Sequence, residues 1–218
     1  MSTNANFPKQ RKLKFFYDGL DRDVELVLLL ARPMDKYAFC WKVIKCQAGV
    51  KHSELVTYCD TLLTCTAWLQ EDTGRVIPGS PVVPCQAGQK CTMKMDEEGN
   101  NYLTPTVDYE APTSITCYFD TTDRADIIFG LLEGSDKTTM CPVTKFRDIK
   151  PGTTLMLEFT PMLSVYAVDG YHAQDIFKSA SESQPLLCQN LNDLRRYTKW
   201  EVLTDKDSGC VKIVLQDD

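Results

Sequence analysis

Tyr37-Ala38-Phe39-Cys40-Trp41-Lys42-Val43-Ile44-Lys45-Cys46 alternates along its whole length. Tyr37, Phe39, Trp41 and Val43 fall on one side of an extended chain, and Ala38, Cys40, Ile44 and Cys46 on the other, with Lys42 the exception. A period of two built from aromatic and β-branched residues marks a strand, here one apolar on nearly both faces. Such a strand belongs inside a packed β domain, with the later strands set around it.

Working outward, Leu13–Tyr17 reads as a first strand closed by Asp18-Gly19, and Val24–Ala31 as a second, stopped at Arg32-Pro33. Beyond the central strand, Glu54–Cys59 and Leu62–Leu69 are extended segments. Val76–Pro84 carries Pro78, Pro81 and Pro84, and proline has no N–H for a ladder, so a loop or edge crossing is expected there. Lys90–Met95 alternates polar and apolar and turns at Asp96–Asn100 into Tyr102-Leu103-Thr104. Ser114–Asp120, Ala125–Leu132, Met140–Phe146, Thr153–Thr160 and Met162–Asp169 continue the pattern, and Lys199–Leu203 with Val211–Leu215 closes it as a hairpin. Helix is expected only between Ala173 and Arg196, where Asn190 can cap a single turn through Leu194. No segment of the sequence repeats. The chain therefore predicts an all-β fold, a two-layer antiparallel β-sandwich of about ten to twelve strands with one or two short helices near the C-terminus. Residues 1–12 are expected to be a flexible tail, and 13–218 a single domain.

The 218 residues carry a net charge of −6, from 24 basic and 30 acidic side chains. Scattered acidic residues argue against a nucleic-acid partner or an anionic membrane, both of which call for a basic surface. The basic cluster Lys9, Arg11, Lys12 and Lys14 reads as part of a solvated tail. No early apolar run follows a charged start, and Val24–Ala31 is too short to span a bilayer, so a cytoplasmic location without a membrane is expected. Three of the cysteine pairs, Cys40/Cys46, Cys59/Cys65 and Cys85/Cys91, share one spacing. Six residues along a strand separate two thiols by about 20 Å, which suits neither a zinc knuckle nor a local bridge. Buried reduced thiols are expected, and no metal.

Catalytic signals are weak. His52 and His172 are the two histidines. His172 lies between Asp169 and Asp175, as an oriented base would, but no nucleophile elbow or protease-like cysteine accompanies it. Asp205-Lys206-Asp207-Ser208-Gly209 begins like a calcium loop, yet position 215 is Leu where a glutamate ligand is needed, and a hairpin turn explains it. A non-enzymatic protein is expected. The aromatic supply suggests a binding role instead: Tyr37 and Trp41 as stacking walls, with His52, Tyr171 and His172 as hydrogen-bonding groups around a small planar ligand. The competing reading is core packing for Trp41, and sugar stacking on loop aromatics such as Trp68 or Tyr171.

Phe39–Cys46, followed by Gly49 and His52, resembles a group of small fungal fruiting-body proteins of unassigned function, to which fungal chromoproteins look related. The resemblance continues in patches at Pro151–Phe159, Leu163–Ala167, Asn190–Leu194 and Thr198–Trp200. It implies a β protein carrying a small aromatic pigment, of indole type, as its ligand. The alternative from the same setting is a carbohydrate-binding (lectin-like) or defence protein. No ligand-contacting residue carries over from the family. A small-molecule partner is expected, and a homodimer is left open.

Overall fold

The computed structural model describes residues 10–30, 38–59, 62–70, 75–79, 81–132, 140–178 and 184–216, with backbone alone at 62, 63, 65–70 and 75–78. Among them the chain is nearly all β, with eighteen strands in four sheets. Sheet I runs β18 (Val211–Gln216), β17 (Tyr197–Thr204), β1 (Gln10–Tyr17), β4 (His52–Cys59). Sheet II runs β16 (Leu187–Asn190), β15 (Met162–Ala167), β2 (Val24–Leu29), β3 (Cys40–Cys46). Sheet III runs β13 (Met140–Ile149), β12 (Ala125–Leu132), β5 (Leu62–Gln70), β6 (Arg75–Pro78), with β7 (Val83–Cys85) also on β5. Sheet IV runs β10 (Val107–Asp108), β8 (Gln89–Met95), β11 (Ile115–Asp120), β14 (Thr154–Leu157), with β9 (Asn101–Leu103) also on β8.

The all-β expectation holds, but four sheets stand where two layers were expected, and two pairings, β1 with β17 and β8 with β11, are parallel. Both parallel pairs join strands from opposite ends of the chain's halves, which local hairpin signals cannot reveal. β1 begins at Gln10, so part of the expected tail is strand: Lys12 N–H bonds to Arg196 O at 2.9 Å, and Arg11 reaches the carbonyls of Leu191 and Leu194. Near the C-terminus the described residues hold only a three-residue 3-10 turn, Leu191–Asp193, with the Asn190 side chain accepting from Asn192 N–H at 3.0 Å. Residues 173–178, ahead of it, are not helical, and part of their backbone is used elsewhere. Ile176 bridges to Phe39, and Phe177 N–H bonds to Ala38 O at 2.9 Å, so tertiary pairing overrides local propensity.

β3 corrects the reading of its own faces. Leu28 pairs with Lys42 and Leu29 with Cys40, so Trp41 is the extra residue of a β-bulge. The bulge turns Trp41 inward with Ile44 and Cys46, while Ala38 and Cys40 join Val27, Leu29, Tyr166 and Phe177 on the other face of sheet II. Sheets I and II meet through their inward faces. Trp41 packs edge-on against Tyr58 of β4 at 5.7 Å, and the Tyr17 hydroxyl donates to Lys45 O at 3.3 Å. Phe39 packs on Ile128, Leu132 and Met140, and Ala38 bridges to Thr144, so the chain entering β3 fastens sheet II to sheet III. One continuous buried cluster draws on all four sheets.

The topology contains a repeat that the sequence hides. β1–β4 and β11–β14 have one plan: the first strand antiparallel to the fourth, the second to the third. β15 and β17 flank the first block as β5 and β8 flank the second, antiparallel and parallel respectively. Even the bulge recurs: Phe129 pairs with Thr144 and Gly130 with Pro142, leaving Val143 in the place of Trp41. Each sheet combines strands from residues 10–108 with strands from 115–216, so the two halves exchange blocks with each other.

Nine cysteines are described, and all are unbridged. Burial pushes the Cys40 thiol up to about 12 and the Cys46 thiol up to about 11. Among the described residues no helix is long and apolar enough to cross a membrane.

Candidate functional site

At one end of sheet II a cleft of about 460 Å³ opens between Asp23–Glu25, Lys45–Gln47 and Asp169–His172. Sheet pairing assembles it. Glu25 of β2 lies directly opposite Lys45 of β3, and β15 runs antiparallel beside β2, which delivers the turn after Ala167 to the same edge. The pieces are tied by short polar contacts. Lys45 Nζ sits 2.7 Å from Glu25 Oε1, and Gly170 N–H donates to Glu25 Oε2 at 3.1 Å. Val168 N–H donates to Glu25 O at 3.2 Å, and Ala48 N–H to Asp23 Oδ1 at 2.8 Å. Gly170 adopts φ +84°, a conformation open to glycine at little cost, which lets the turn bring its N–H onto Glu25.

The electrostatics follow from this geometry. The Lys45 ammonium, and then the Gly170 N–H, hold the Glu25 carboxyl below the usual carboxylate range, and Glu25 in turn raises Lys45. With Asp23 and Asp169 beside them, three carboxylates face one ammonium in the cleft, together with the imidazole of His172 and the phenol of Tyr171. Tyr171 is anchored on its inner side, its ring 5.1 Å from Phe177 and its hydroxyl accepting from Lys178 N–H at 3.4 Å. The His172 backbone N–H donates to Asp175 Oδ2 at 2.7 Å, and the ring Nδ1 lies 3.5 Å from the same oxygen. Cys46 is the one thiol among the described lining residues, and burial keeps it protonated at neutral pH. The arrangement can accept hydrogen bonds from hydroxyl groups, donate through Lys45 and His172, and offer one aromatic ring.

Of the five residues singled out from the sequence, Tyr171 and His172 meet in this cleft. Trp41 is only 2% exposed and packs in the core. His52 is exposed at the start of β4, 3.3 Å from Glu54 and edge-on to Tyr17 at 5.9 Å, outside the lining. Tyr37 lies outside the described residues, as does the side chain of Trp68. Asp23, Glu25, Lys45 and Asp169 were not legible as a site. The available signal was charge inside largely apolar strands, Glu25 in β2 and Lys45, alongside Lys42, in β3. The calcium-like turn is a hairpin: Asp205 Oδ1 accepts from Ser208 N–H at 2.9 Å and from its hydroxyl at 2.7 Å, and Oδ2 pairs with Lys212. No known protein family, curated protein or solved structure matches the chain.

Proposed function

We propose that the chain is a non-enzymatic binding protein that holds a small hydroxyl-rich molecule, a sugar or polyol, in the cleft beside Glu25 and Lys45. The scaffold is read as a doubled β-sandwich, sheet I on II and sheet III on IV, with the ligand at the end of the first. The observation that carries the reading is the lining: three carboxylates, an ammonium and an imidazole around about 460 Å³, with one phenol ring for stacking. Pockets of roughly 300–1,000 Å³ suit small ligands, and a few convergent polar groups set their chemistry. An indole-type pigment needs apolar walls; of the two the sequence offered, Trp41 is used in the core and Tyr37 lies outside the described residues. Of the pigment-carrying role that the fungal resemblance implies and the carbohydrate-binding alternative, the second therefore fits the cleft better.

Ligand-detected NMR with a panel of mono- and disaccharides and polyols tests this. Saturable binding that is lost in Asp169→Ala and weakened in Tyr171→Ala supports the proposal. Binding by no member of the panel, together with a conjugated small molecule retained in native mass spectra of protein from its own source, would replace the sugar with a pigment.

A further inference from the structure

The charges that line the cleft do not balance. Asp23, Glu25 and Asp169 share it with Lys45 and His172, so three carboxylates stand around one permanent cation. Lys45 lies 2.7 Å from Glu25 and is raised first by that contact and only lastly by Asp169. Glu25 is engaged twice over, by Lys45 and by Gly170 N–H. Asp23 gives one oxygen to Ala48 N–H at 2.8 Å. Among the described residues neither Asp23 nor Asp169 lies in an ion pair. Protonation of His172 does not restore the balance, because its Nδ1 lies 3.5 Å from Asp175, a fourth carboxylate just outside the lining. Asp21 and Arg22, which precede the lining, offset each other.

The fold does not require an acid at the turn into β2. Counted from the two bulges, Asp23 of the first block corresponds to Arg124 of the second. Both reach backbone at the end of the neighbouring strand: Asp23 accepts from Ala48 N–H, and Arg124 donates to Asp148 O at 3.4 Å. The same tether is made with either sign, and the negative one stands where the cleft opens. Chelation of a bare metal ion does not explain the excess. Among the described residues no three His, Cys, Asp or Glu side chains form a group that could hold one. The carboxylates are spread around about 460 Å³, room for a cation carried on a ring-sized body.

We propose, building on the sugar reading of this cleft, that its ligand is an amino sugar with a free amine. Its ammonium lies on the Asp23 and Asp169 carboxylates, its hydroxyl groups on Glu25, Lys45 and His172, and its ring face on Tyr171. An ammonium offers three N–H donors, and charge-assisted bonds to carboxylates are stronger than those a hydroxyl makes. Charge complementarity then selects it over the neutral sugar of the same shape.

Amide NMR titration of the full chain near pH 7 decides it, with glucosamine, N-acetylglucosamine, glucose, and spermidine as an amine without a sugar ring. Glucosamine should bind about fivefold or more tighter than either uncharged sugar at low salt, and the advantage should shrink as salt rises. Asp169→Asn should bring the ratio of glucosamine to glucose affinity towards one, and Asp169→Glu should keep it. Should the first variant fold poorly, Asp23→Asn, which retains an acceptor for Ala48 N–H, must still lower the ratio. The surface control Asp108→Asn on β10 should leave the ratio unchanged. Equal or tighter binding of an uncharged sugar, or an equal fall in the ratio from the control, overturns the amine and leaves the sugar reading standing. Binding of spermidine alone, or of none of the four, overturns both.

Discussion

Trp41 stands at the bulge of β3 with its ring edge-on to Tyr58, joining sheets I and II across the core. Removing a buried aromatic ring costs the transfer energy of its atoms plus the cavity left behind, about 3–5 kcal/mol in all. Trp41→Ala should lower the unfolding free energy from urea titration by that amount, moving the midpoint with an unchanged slope; a loss under about 1 kcal/mol would place the ring outside the core. The same residue shows how far the sequence could be read. Alternation identified the strand, because aromatic and β-branched residues leave few other conformations for it. It misassigned the face of Trp41, because a bulge shifts the alternation by one residue and leaves no mark in a strand apolar on both sides. At the cleft, Tyr171 and His172 were visible as a polar turn leaving a strand. Their partners Glu25 and Lys45 were not, since they come together only when β2 pairs with β3 and β15.

Two elements test the duplicated plan. Gly130 of β12 follows the second bulge, and a Cβ there would lie 2.2 Å from Cys141 O and 2.7 Å from Met140 Cγ. Backbone oxygen has no rotamer to yield, so Gly130→Ala should cost about 1–3 kcal/mol through forced displacement of β13; unchanged stability in denaturant would show that β12 and β13 do not approach so closely. The β17–β18 turn carries Asp205, whose carboxyl is held well below its ordinary range, first by Lys212 and then by the Ser208 hydroxyl and N–H. A carboxyl depressed in the folded state contributes stability above its unfolded value, about 3.9, and loses it as pH falls through the folded value. Asp205→Asn should therefore melt below wild type near pH 6, and the gap should close at the acid end, below about pH 3. A gap constant with pH would assign the effect to turn geometry instead of charge. The β8–β9 turn repeats the device with Asp96, whose carboxyl is lowered first by Asn100 N–H.

Over the whole molecule, every sheet contains strands from both halves of the chain, so neither half can complete a core by itself. The connection Tyr109–Thr113 is largely exposed and lies between β10 and β11. Residues 1–110 and 111–218, co-expressed as separate chains, should assemble into a complex that melts cooperatively; a folded monomer from either half alone would contradict the exchange. The cross-half pairs, parallel β1–β17 and β8–β11 and antiparallel β2–β15 and β5–β12, were invisible in the sequence, because none joins neighbouring strands and such pairing is set by the core and not by local pattern. The same exchange positions the cleft, since Glu25 and Lys45 come from the first half and Asp169 to His172 from the second. The most direct test of the binding role is an amide NMR titration of the intact protein with the sugar and polyol panel. Shifts confined to Asp23–Glu25, Lys45–Gln47 and Asp169–His172, with the equivalent strand ends around Asp126 and Asp148 unmoved, are the predicted result. No shift at saturating ligand, or shifts centred away from the cleft, would contradict it.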